Sequence, residues 1–445
     1  MRFSLCLAGA LIAVSAPLAR AQAINMAGIQ SDLAFIEQQA QKTLASLTPG
    51  KYPQANGQTG TWNTTNASQW TSGFFPGELW LLYQATGSTQ WLNAAKAWTA
   101  PLAAANPTVD PTDIGFIIGA SFGNGYRLTG NPSYKAEIFA AAKMLAANYN
   151  PLVGAVRSWT FGPWSYPVIV DGMMTLGPLE WGAGHGGDIA WSKVDAQNQA
   201  SLTDKHLVRS DGSVIHLADF NPTTGAFLDA ENEGAYSATA TVSRTQAWGI
   251  YGYVQAYQMS DNASWLSIGE KLANFFIANL PANGVPPLDF DAPGGVTPPL
   301  DTSAAAIAAD AFVMLGEYAA TAAQRSYYLT EAEDILGSLS ASFLATGAGS
   351  EAVLLDGTDG IGAEVDTALI YGDYYFLEAL LRLEDVLQGQ PTWKLYGPLW
   401  PTPKIDADAV SFAAAPEPST WAMTALGLAA LAVVSRRFRR RAPAT

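Results

Sequence analysis

Tyr83-Gln-Ala-Thr-Gly-Ser-Thr-Gln-Trp91 joins one apolar, helix-like segment to another through a small polar turn that is followed by an aromatic residue. Three further segments share this arrangement, and a fourth shares it more weakly. They are Tyr126-Arg-Leu-Thr-Gly-Asn-Pro-Ser-Tyr134, Tyr257-Gln-Met-Ser-Asp-Asn-Ala-Ser-Trp265, Tyr318-Ala-Ala-Thr-Ala-Ala-Gln-Arg-Ser-Tyr-Tyr328 and the weaker Gly184-His-Gly-Gly-Asp-Ile-Ala-Trp191. Each unit indicates a helix, a turn and a second helix.

The spacing of these hairpins indicates the fold class. They recur roughly 40 to 75 residues apart, and hairpins that bury their apolar faces only against their neighbours form a solenoid or a closed toroid. Flanking segments such as residues 304–309 are rich in strong helix formers. Strand signals are sparse, and residues 213–220 alternate well enough for a short hairpin arm in a connecting loop. The sequence predicts an all-α protein, one α/α toroid of about six helical hairpins.

Both ends of the chain have the pattern of targeting segments. Residues 1–23 combine the basic Arg2, an apolar run and a small-residue cleavage site, which is typical of a secretory signal peptide. At the other end, Pro416-Glu-Pro-Ser-Thr420 precedes an apolar stretch at residues 421–434 and a cluster of arginines, and this tail resembles the PEP-CTERM sorting tail of exported proteins in Gram-negative bacteria. We expect a body at residues 24–387, a proline-rich linker at 388–415 and the sorting tail at 416–445.

The apolar stretch of the tail is shorter than the ~20 residues of a spanning helix. The tail therefore predicts recognition by a sorting machinery and a short transmembrane segment with only transient membrane association, the alternative being a permanent single-helix anchor. The expected destination is the periplasm, the outer surface or the extracellular matrix.

The composition of the body excludes several kinds of function. Outside the two terminal segments the chain keeps 16 of its 23 basic and 37 of its 38 acidic residues, so nucleic acid is not an expected partner. Cys6 is the only cysteine and lies in the signal segment, which leaves no disulfide or thiol chemistry to the body. His185, His206 and His216 lack the spacing of metal ligands, so neither a metal nor another cofactor is expected.

Two acidic residues are candidates for catalysis, and each has a structural alternative. Asp171 lies among apolar neighbours in Tyr166-Pro-Val-Ile-Val-Asp-Gly-Met-Met174, where desolvation raises a carboxyl pKa and suits a proton donor. The alternative is a helix N-cap, which lowers the pKa instead. Asp113 follows Asp110-Pro-Thr, so Asp110 is a candidate cap with Pro111 at the first helical position, and Asp113 then occupies the first turn. The local sequence does not choose between these readings.

Seven ordered blocks of sequence extend over nearly the whole body. They are Trp70-Thr-Ser-Gly-Phe-Phe-Pro-Gly-Glu-Leu-Trp80; Asp113-Ile-Gly-Phe116 with Phe122-Gly-Asn-Gly-Tyr-Arg-Leu-Thr-Gly130; Arg157-Ser-Trp159; the block around Asp171; Arg244-Thr-Gln-Ala-Trp-Gly-Ile-Tyr-Gly252; Asp289-Phe-Asp-Ala-Pro293; and Glu364-Val-Asp with Tyr371-Gly-Asp-Tyr-Tyr-Phe376. Together they resemble glycoside hydrolase family 88, the unsaturated glucuronyl hydrolases.

The resemblance implies an (α/α)6 toroid and a hydrolase that removes a terminal 4,5-unsaturated uronic acid from oligosaccharides made by a lyase. In that reaction an acid protonates C4, water adds at C5, and the resulting hemiketal opens and expels the rest of the chain. The resemblance implies that Asp171 donates the proton, while Asp113 holds ring hydroxyls and by its charge helps to keep Asp171 protonated. It also implies substrate contacts at Trp70, Trp159, Trp248, Arg244 and His216, the tryptophans as walls of the pocket and the arginine as a partner for charge.

The chain departs from the family pattern at several positions. Thr112 stands where the family has a histidine, Gly234 where it has a glutamine, Val242 where it has a tryptophan, and Leu288 where an aromatic residue is common. These changes remove contacts to the unsaturated ring and spare both acids. They leave two alternatives open beside the glucuronyl hydrolase: an unsaturated rhamnogalacturonyl hydrolase, and a surface glycan-binding protein on a catalytically decayed toroid.

Overall fold

The turn residues of the first predicted hairpin explain why that hairpin forms. In the computed structural model, helix α2 (Phe74–Thr86) ends at Gly87, which adopts a left-handed conformation with φ 66°. Ser88 follows and caps helix α3 (Thr89–Thr99), because its hydroxyl accepts a hydrogen bond from the backbone N–H of Gln90. Two residues thus end one helix and start the next.

The structure describes residues 22–56, 60–104, 110–185, 190–232, 234–347 and 349–394, all within one unit that spans residues 1–400. The signal segment up to residue 21 and the whole sorting tail lie outside the described residues. So do residues 186–189 in the turn of the weak fifth hairpin.

In the described part of the chain, six helical segments form an inner ring whose residues are buried on most faces. They are α2, α4 (Pro111–Ile118) continued by a π-helical turn (Gly119–Gly123) into α5 (Asn124–Thr129), α7 (Leu176–Gly184), α9 (Ser243–Ser260), α11 (Thr302–Tyr318) and α13 (Ile370–Leu387). Each packs against the next, and α13 packs against α2, which closes the ring.

Six outer helices cover this ring. They are α1 (Met26–Ser46), α3, α6 (Pro132–Ala147), α8 (Ala190–Leu207), α10 (Ala263–Asn279) and α12 (Ala322–Ser342). Five hairpins are continuous in sequence, and the sixth pairs α13 with α1 from the other end of the chain. The predicted all-α, (α/α)6 toroid is confirmed.

The two ends of the ring differ in their connections. The turns that lead from an inner helix to an outer one are short wherever the structure describes every residue of the turn. Each connection from an outer helix back to an inner one is longer, and these connections carry all the strands of the described residues. The long connections therefore gather at the end of the ring where the inner helices begin, and this is the end that can hold a binding site.

Among the residues that the structure describes, three small antiparallel sheets lie in these connections. One has the order β2 (Trp62–Thr65), β1 (Tyr52–Asn56), β8 (Ala368–Leu369), and a second pairs β3 (Tyr149–Asn150) with β4 (Ala155–Val156). The third has the order β5 (Pro167–Ile169), β6 (Leu217–Phe220), β7 (Phe227–Glu231). The strand predicted within residues 213–220 is β6, the middle strand of the third sheet.

The structure corrects the start of the linker, which the sequence placed at residue 388. Trp393 is only 3 % exposed and lies against the guanidinium groups of Arg382 and Arg127, with the Cζ atoms 4.5 and 4.8 Å from its ring centroid. Its carbonyl oxygen accepts a 2.6 Å hydrogen bond from Arg382 Nη1. The body therefore extends beyond residue 388 and includes at least Trp393, which packs on the last turns of α13 although Pro391 precedes it.

Arg382 is itself part of a buried ion cluster. Its Nε lies 3.0 Å from Asp310 Oδ1 and its Nη2 lies 3.0 Å from Glu378 Oε1, and all three side chains are fully buried. The cluster links α11 to α13 next to the point where the ring closes. Removal of one partner from such a network leaves an unpaired charge in the core and strongly destabilises the protein.

The described part of the chain contains no helix that is long and apolar enough to cross a membrane. The predicted transmembrane segment of the tail lies outside that part.

We expect Trp393→Ala to lower the free energy of unfolding by about 3–5 kcal/mol, because it removes a buried ring that packs on two buried guanidinium groups. Leu387→Ala is the control, since Leu387 is 43 % exposed at the end of α13 and its loss should change stability by less than about 0.5 kcal/mol. Chemical denaturation of both variants measures the difference. Equal stabilities would show that residues 391–394 belong to the linker after all.

Candidate active site

A cavity of about 510 Å³ opens at the end of the ring where the inner helices begin. It is lined by Gln69, Trp70, Asp110, Thr112, Asp113, Phe116, Trp159, Phe161, Ile169, Asp171, Arg244, Trp248 and Asp359. Six of the seven residues that the sequence singled out lie in this lining. The seventh, His216, lies directly behind one of them.

Asp113 is held in the first turn of α4. Asp110 occupies the N-cap position and Pro111 the first helical position, as the sequence predicted, but the Asp110 carboxylate makes no capping hydrogen bond. Both carboxylates are part of the cavity wall. The helix therefore directs Asp113 into the cavity, and Asp110 adds a second acid beside it.

Asp171 follows the end of β5 and does not itself cap a helix. Ile169 holds the N-cap position of the 3-10 helix Val170–Thr175, so the N-cap alternative for Asp171 is wrong. In the antiparallel register Ile169 pairs with Leu217, and the Val170 N–H donates to the carbonyl oxygen of His216. This register places His216 Nε2 3.5 Å from Asp171 Oδ2. That oxygen is buried and accepts no hydrogen bond from the described residues.

Two hydrogen bonds to Ser158 and one close packing contact hold the acid-bearing segments together. Ser158 accepts a backbone hydrogen bond from Thr112, and its hydroxyl accepts one from the Ile169 N–H at 3.0 Å. Gly115, one half-turn beyond Asp113, packs against the 3-10 helix so closely that a Cβ atom there would lie 2.5 Å from the Met174 carbonyl oxygen. The absence of a side chain at Gly115 is therefore what lets the two carboxylates face one cavity.

Burial and neighbouring negative charge alter the protonation of Asp113. Desolvation, followed by the charges of Asp110 and Asp171, raises the pKa of the Asp113 carboxyl from 3.8 to about 7. Burial also raises the pKa of Asp110. Near neutral pH Asp113 can thus carry a proton, whereas the sequence analysis expected its side chain to be ionised.

Arg244 lies in the first turn of α9 and is engaged by the protein itself. Its Nη1 donates to Asp359 Oδ1 and, at 2.6 Å, to Tyr371 Oη, while Nη2 donates to the Asp359 carbonyl oxygen at 2.7 Å. Burial acts to lower its pKa, but the neighbouring acidic groups, Asp359 foremost, together outweigh this and raise it. Arg244 is a fixed cation whose partner the sequence did not reveal.

Aromatic rings form the walls of the cavity. Trp248 is one helical turn beyond Arg244, is 1 % exposed and packs 4.8 Å from Phe116. Trp70 packs between Phe116 at 5.5 Å and Tyr371 at 4.8 Å. Trp159 stacks on Phe161, whose ring is 60 % exposed at the rim. These planar apolar surfaces are suited to the faces of sugar rings.

Sequence reasoning missed Gln69, Phe161 and Asp359 as lining residues. Asp359 had one usable signal, the run Gly357-Thr-Asp-Gly-Ile-Gly362 shortly before α13, since an acid in a glycine-rich loop often serves a site. Phe161 had none, because an exposed aromatic residue cannot be told from a buried one by sequence. Among the described residues no group of three or more His, Cys, Asp or Glu side chains is arranged to hold a metal ion.

A ring of six helical hairpins with acids in an aromatic-walled cavity at one end defines a glycoside hydrolase of the six-hairpin class. The chain is 34 % identical to an unsaturated glucuronyl hydrolase of Formosa agariphila over 330 residues, which cover 72 % of this chain and 81 % of that one. It is 28 % identical to an unsaturated glucuronyl hydrolase of a Bacillus species, covering 76 % and 92 % of the two chains. A solved unsaturated glucuronyl hydrolase specific for heparin superimposes with a TM-score of 0.78 at 32 % identity, over 82 % of this chain and 99 % of that one.

The chain therefore belongs to the unsaturated glucuronyl hydrolases, glycoside hydrolase family 88, and the resemblance found in the sequence is confirmed. Residues 414–441 match the family model of the PEP-CTERM protein-sorting motif. This motif indicates export and sorting to the cell envelope of a Gram-negative bacterium.

We expect Gly115→Ala to separate the two acids. The added methyl group would overlap backbone atoms of Met174 and Thr175, so the 3-10 helix must move, at a cost of about 1–3 kcal/mol in stability. Displacement of the acids by about 1 Å should lower kcat/KM roughly 100-fold. Gly294→Ala is the matched control, since a Cβ atom there meets nothing within 4 Å. Unchanged kinetics in Gly115→Ala would contradict this account of the site.

We expect Asp113→Asn to stabilise the protein at alkaline pH. The folded-state pKa of about 7 lies above the unfolded value near 3.8, so the native state binds more protons and its stability falls as pH rises from about 4 to 7. Asparagine resembles the protonated acid and avoids this loss. Thermal denaturation should therefore give the variant a higher Tm than the wild type at pH 8 and a smaller difference at pH 4. A constant difference across this range would refute the raised pKa.

Proposed function

We propose that the cavity removes a 4,5-unsaturated uronic acid from the non-reducing end of an oligosaccharide, with Asp171 as the proton donor. The observation that carries this role is the position of the Asp171 carboxylate. One oxygen contacts His216 and is otherwise free of hydrogen bonds from the described residues, and the group lines a cavity that also holds Asp113. A carboxyl group in such a setting can give a proton to a substrate and take one back.

The proposed reaction proceeds by addition of water to an enol ether. Asp171 protonates C4, and positive charge develops at C5 and the ring oxygen. Water then adds at C5 while the Asp171 carboxylate accepts one of its protons, so the acid is regenerated. The resulting hemiketal opens and releases the remaining sugar. Because no group attacks the glycosidic bond directly, the carboxylate separations that distinguish inverting from retaining enzymes do not apply.

Asp113 has a different part in this proposal. With a pKa near 7 it carries a proton in part of the population at neutral pH and can then donate a hydrogen bond to a ring hydroxyl. Its proton also limits the negative charge that meets the anionic substrate. His216 orients the Asp171 carboxylate, since the β5–β6 register holds both residues in place.

The remaining candidate residues position the sugar in this proposal. Trp70, Trp159 and Trp248 present apolar surfaces to the ring, and Arg244 supplies positive charge for the uronate carboxylate. Thr112 lines the cavity where the family has a histidine, so one polar contact to the ring differs from the family pattern. The substrates we propose are lyase-generated oligosaccharides that end in an unsaturated uronate.

The compartment in which the protein acts is proposed from its sorting tail. The sorting motif supports recognition of the tail by a sorting machinery and a transient association with the membrane before the tail is processed. The body would then act in the periplasm, at the outer surface or in the extracellular matrix, where polysaccharide lyases release their products.

Hydrolysis can be followed as loss of the ultraviolet absorbance of the conjugated double bond. We expect the wild type to bleach at least one lyase-made disaccharide, and Asp171→Asn to reduce kcat by roughly 10²–10⁴-fold with little change in folding. Asp261→Asn is the control, because Asp261 lies at the other end of α9 in a left-handed conformation that asparagine also adopts.

The choice of substrates decides between the remaining functions. Cleavage of pectin-derived fragments alone would favour the rhamnogalacturonyl hydrolase. Binding of unsaturated oligosaccharides without any bleaching would favour the decayed glycan-binding protein. No bleaching of glycosaminoglycan, gellan, ulvan, xanthan or pectin products would refute the proposed hydrolysis.

A further inference from the structure

Negatively charged residues outnumber positively charged ones in the lining of the cavity. Four acids, Asp110, Asp113, Asp171 and Asp359, line it in the described part of the chain, and Arg244 is the only Lys or Arg among the same lining residues. The proposed substrate brings at least one more negative charge. Whatever controls access to Arg244 therefore controls which anionic sugars the cavity can bind.

Asp359 is the main partner of Arg244. Arg244 directs two N–H groups to this residue, one to its carboxylate and one to its carbonyl oxygen, and a third to Tyr371 Oη. Tyr371 completes the arrangement by donating to the same carboxylate oxygen of Asp359 at 3.0 Å. Within the described part of the chain, three of the five guanidinium N–H groups are thus engaged. The two without a partner there are enough for one carboxylate and leave none for a second anion.

The segment around Asp359 is fixed by its own hydrogen bonds. The Asp359 N–H donates to the Glu364 carbonyl oxygen at 2.7 Å, and the hydroxyl of the preceding Thr358 donates to the Leu300 carbonyl oxygen at 2.8 Å. The carboxylate is also the more accessible partner, with a side-chain exposure of 36 % against 17 % for Arg244. An incoming anion therefore meets the negative partner of the pair more readily than the positive one.

We propose that Asp359 is a specificity-determining residue, an internal counter-ion that restricts the cavity to unsaturated uronides whose neighbouring sugar carries no charge. A sulfate or second carboxylate that comes near Arg244 would meet the Asp359 carboxylate, and the described lining residues offer no second Lys or Arg to bind it. Repulsion between like charges at the short distances of a cavity is sufficient for a discrimination of roughly tenfold or more. This inference rests on the proposed function and adds to it a class of preferred substrate.

The test uses two unsaturated disaccharides made by lyases that differ only in a sulfate on the sugar next to the uronate. The wild type should show a kcat/KM for the unsulfated compound about tenfold or more above that for the sulfated one. Asp359→Asn should reduce this ratio by roughly tenfold, mainly by lowering KM for the sulfated compound. Asparagine keeps the shape and an acceptor oxygen for Tyr371, and thermal denaturation checks that the variant is folded.

Two further variants separate charge from structure. Asp359→Glu keeps the negative charge and should keep most of the discrimination. Asp261→Asn removes the same charge at the distant end of α9 and should leave the ratio unchanged. The wild-type ratio should also shrink at high salt, which a purely steric role would not predict. Equal ratios in the wild type and Asp359→Asn would overturn the inference even if both enzymes are active.

A binding measurement keeps this inference separate from the proposed chemistry. Calorimetry in the Asp171→Asn background, with and without Asp359→Asn, compares the dissociation constants of the two disaccharides without turnover. Stronger binding of the sulfated compound after loss of the Asp359 charge supports the counter-ion, whether or not the wild type hydrolyses either compound. Unchanged binding refutes the counter-ion and leaves the hydrolysis untouched.

Discussion

The packing of α13 against α2 is the contact on which the rest of the structure depends, because it turns a row of helical hairpins into a closed ring. An open row would leave two apolar inner faces in water. Closure also brings α1, from the start of the chain, over α13 at its end. The buried cluster of Arg382, Asp310 and Glu378 lies next to this junction, and Trp393 covers it from the far side. The residues just after α13 are therefore part of the body.

Closure has a direct consequence for the site. All six inner helices run in the same direction, so their first turns and the long connections before them meet at one end. Residues as distant in sequence as Trp70 and Asp359 become neighbours across a single cavity. Within that cavity two local constraints set the chemistry: the register of β5 and β6, which joins His216 to Asp171, and the side-chain-free surface of Gly115, which lets α4 approach.

The cavity is acidic although the proposed substrate is an anion. A raised pKa at Asp113 moderates this conflict by neutralising an acid, whereas the pairing of Arg244 with Asp359 offsets part of the only positive charge among the described lining residues. The same features cost stability, because partly buried carboxylates are desolvated in the folded state. Such a conflict between stability and function is usual at catalytic sites.

The sequence by itself determined the helical hairpins, because their turns are set by local chemistry: a left-handed residue such as Gly87 followed by a capping side chain such as Ser88. It also determined that Asp113 lies in the first turn of a helix. The role of Asp171 was undecided locally, since an acid before a helix-forming run reads equally as a cap. Only the tertiary structure excludes the N-cap role for Asp171, places His216 beside this acid and pairs Arg244 with Asp359. The reason is physical: these contacts join segments that are 45 to 115 residues apart. Strand pairing between β5 and β6 makes the first contact and the packing of the connections at one end of the ring makes the second, and no local propensity specifies either.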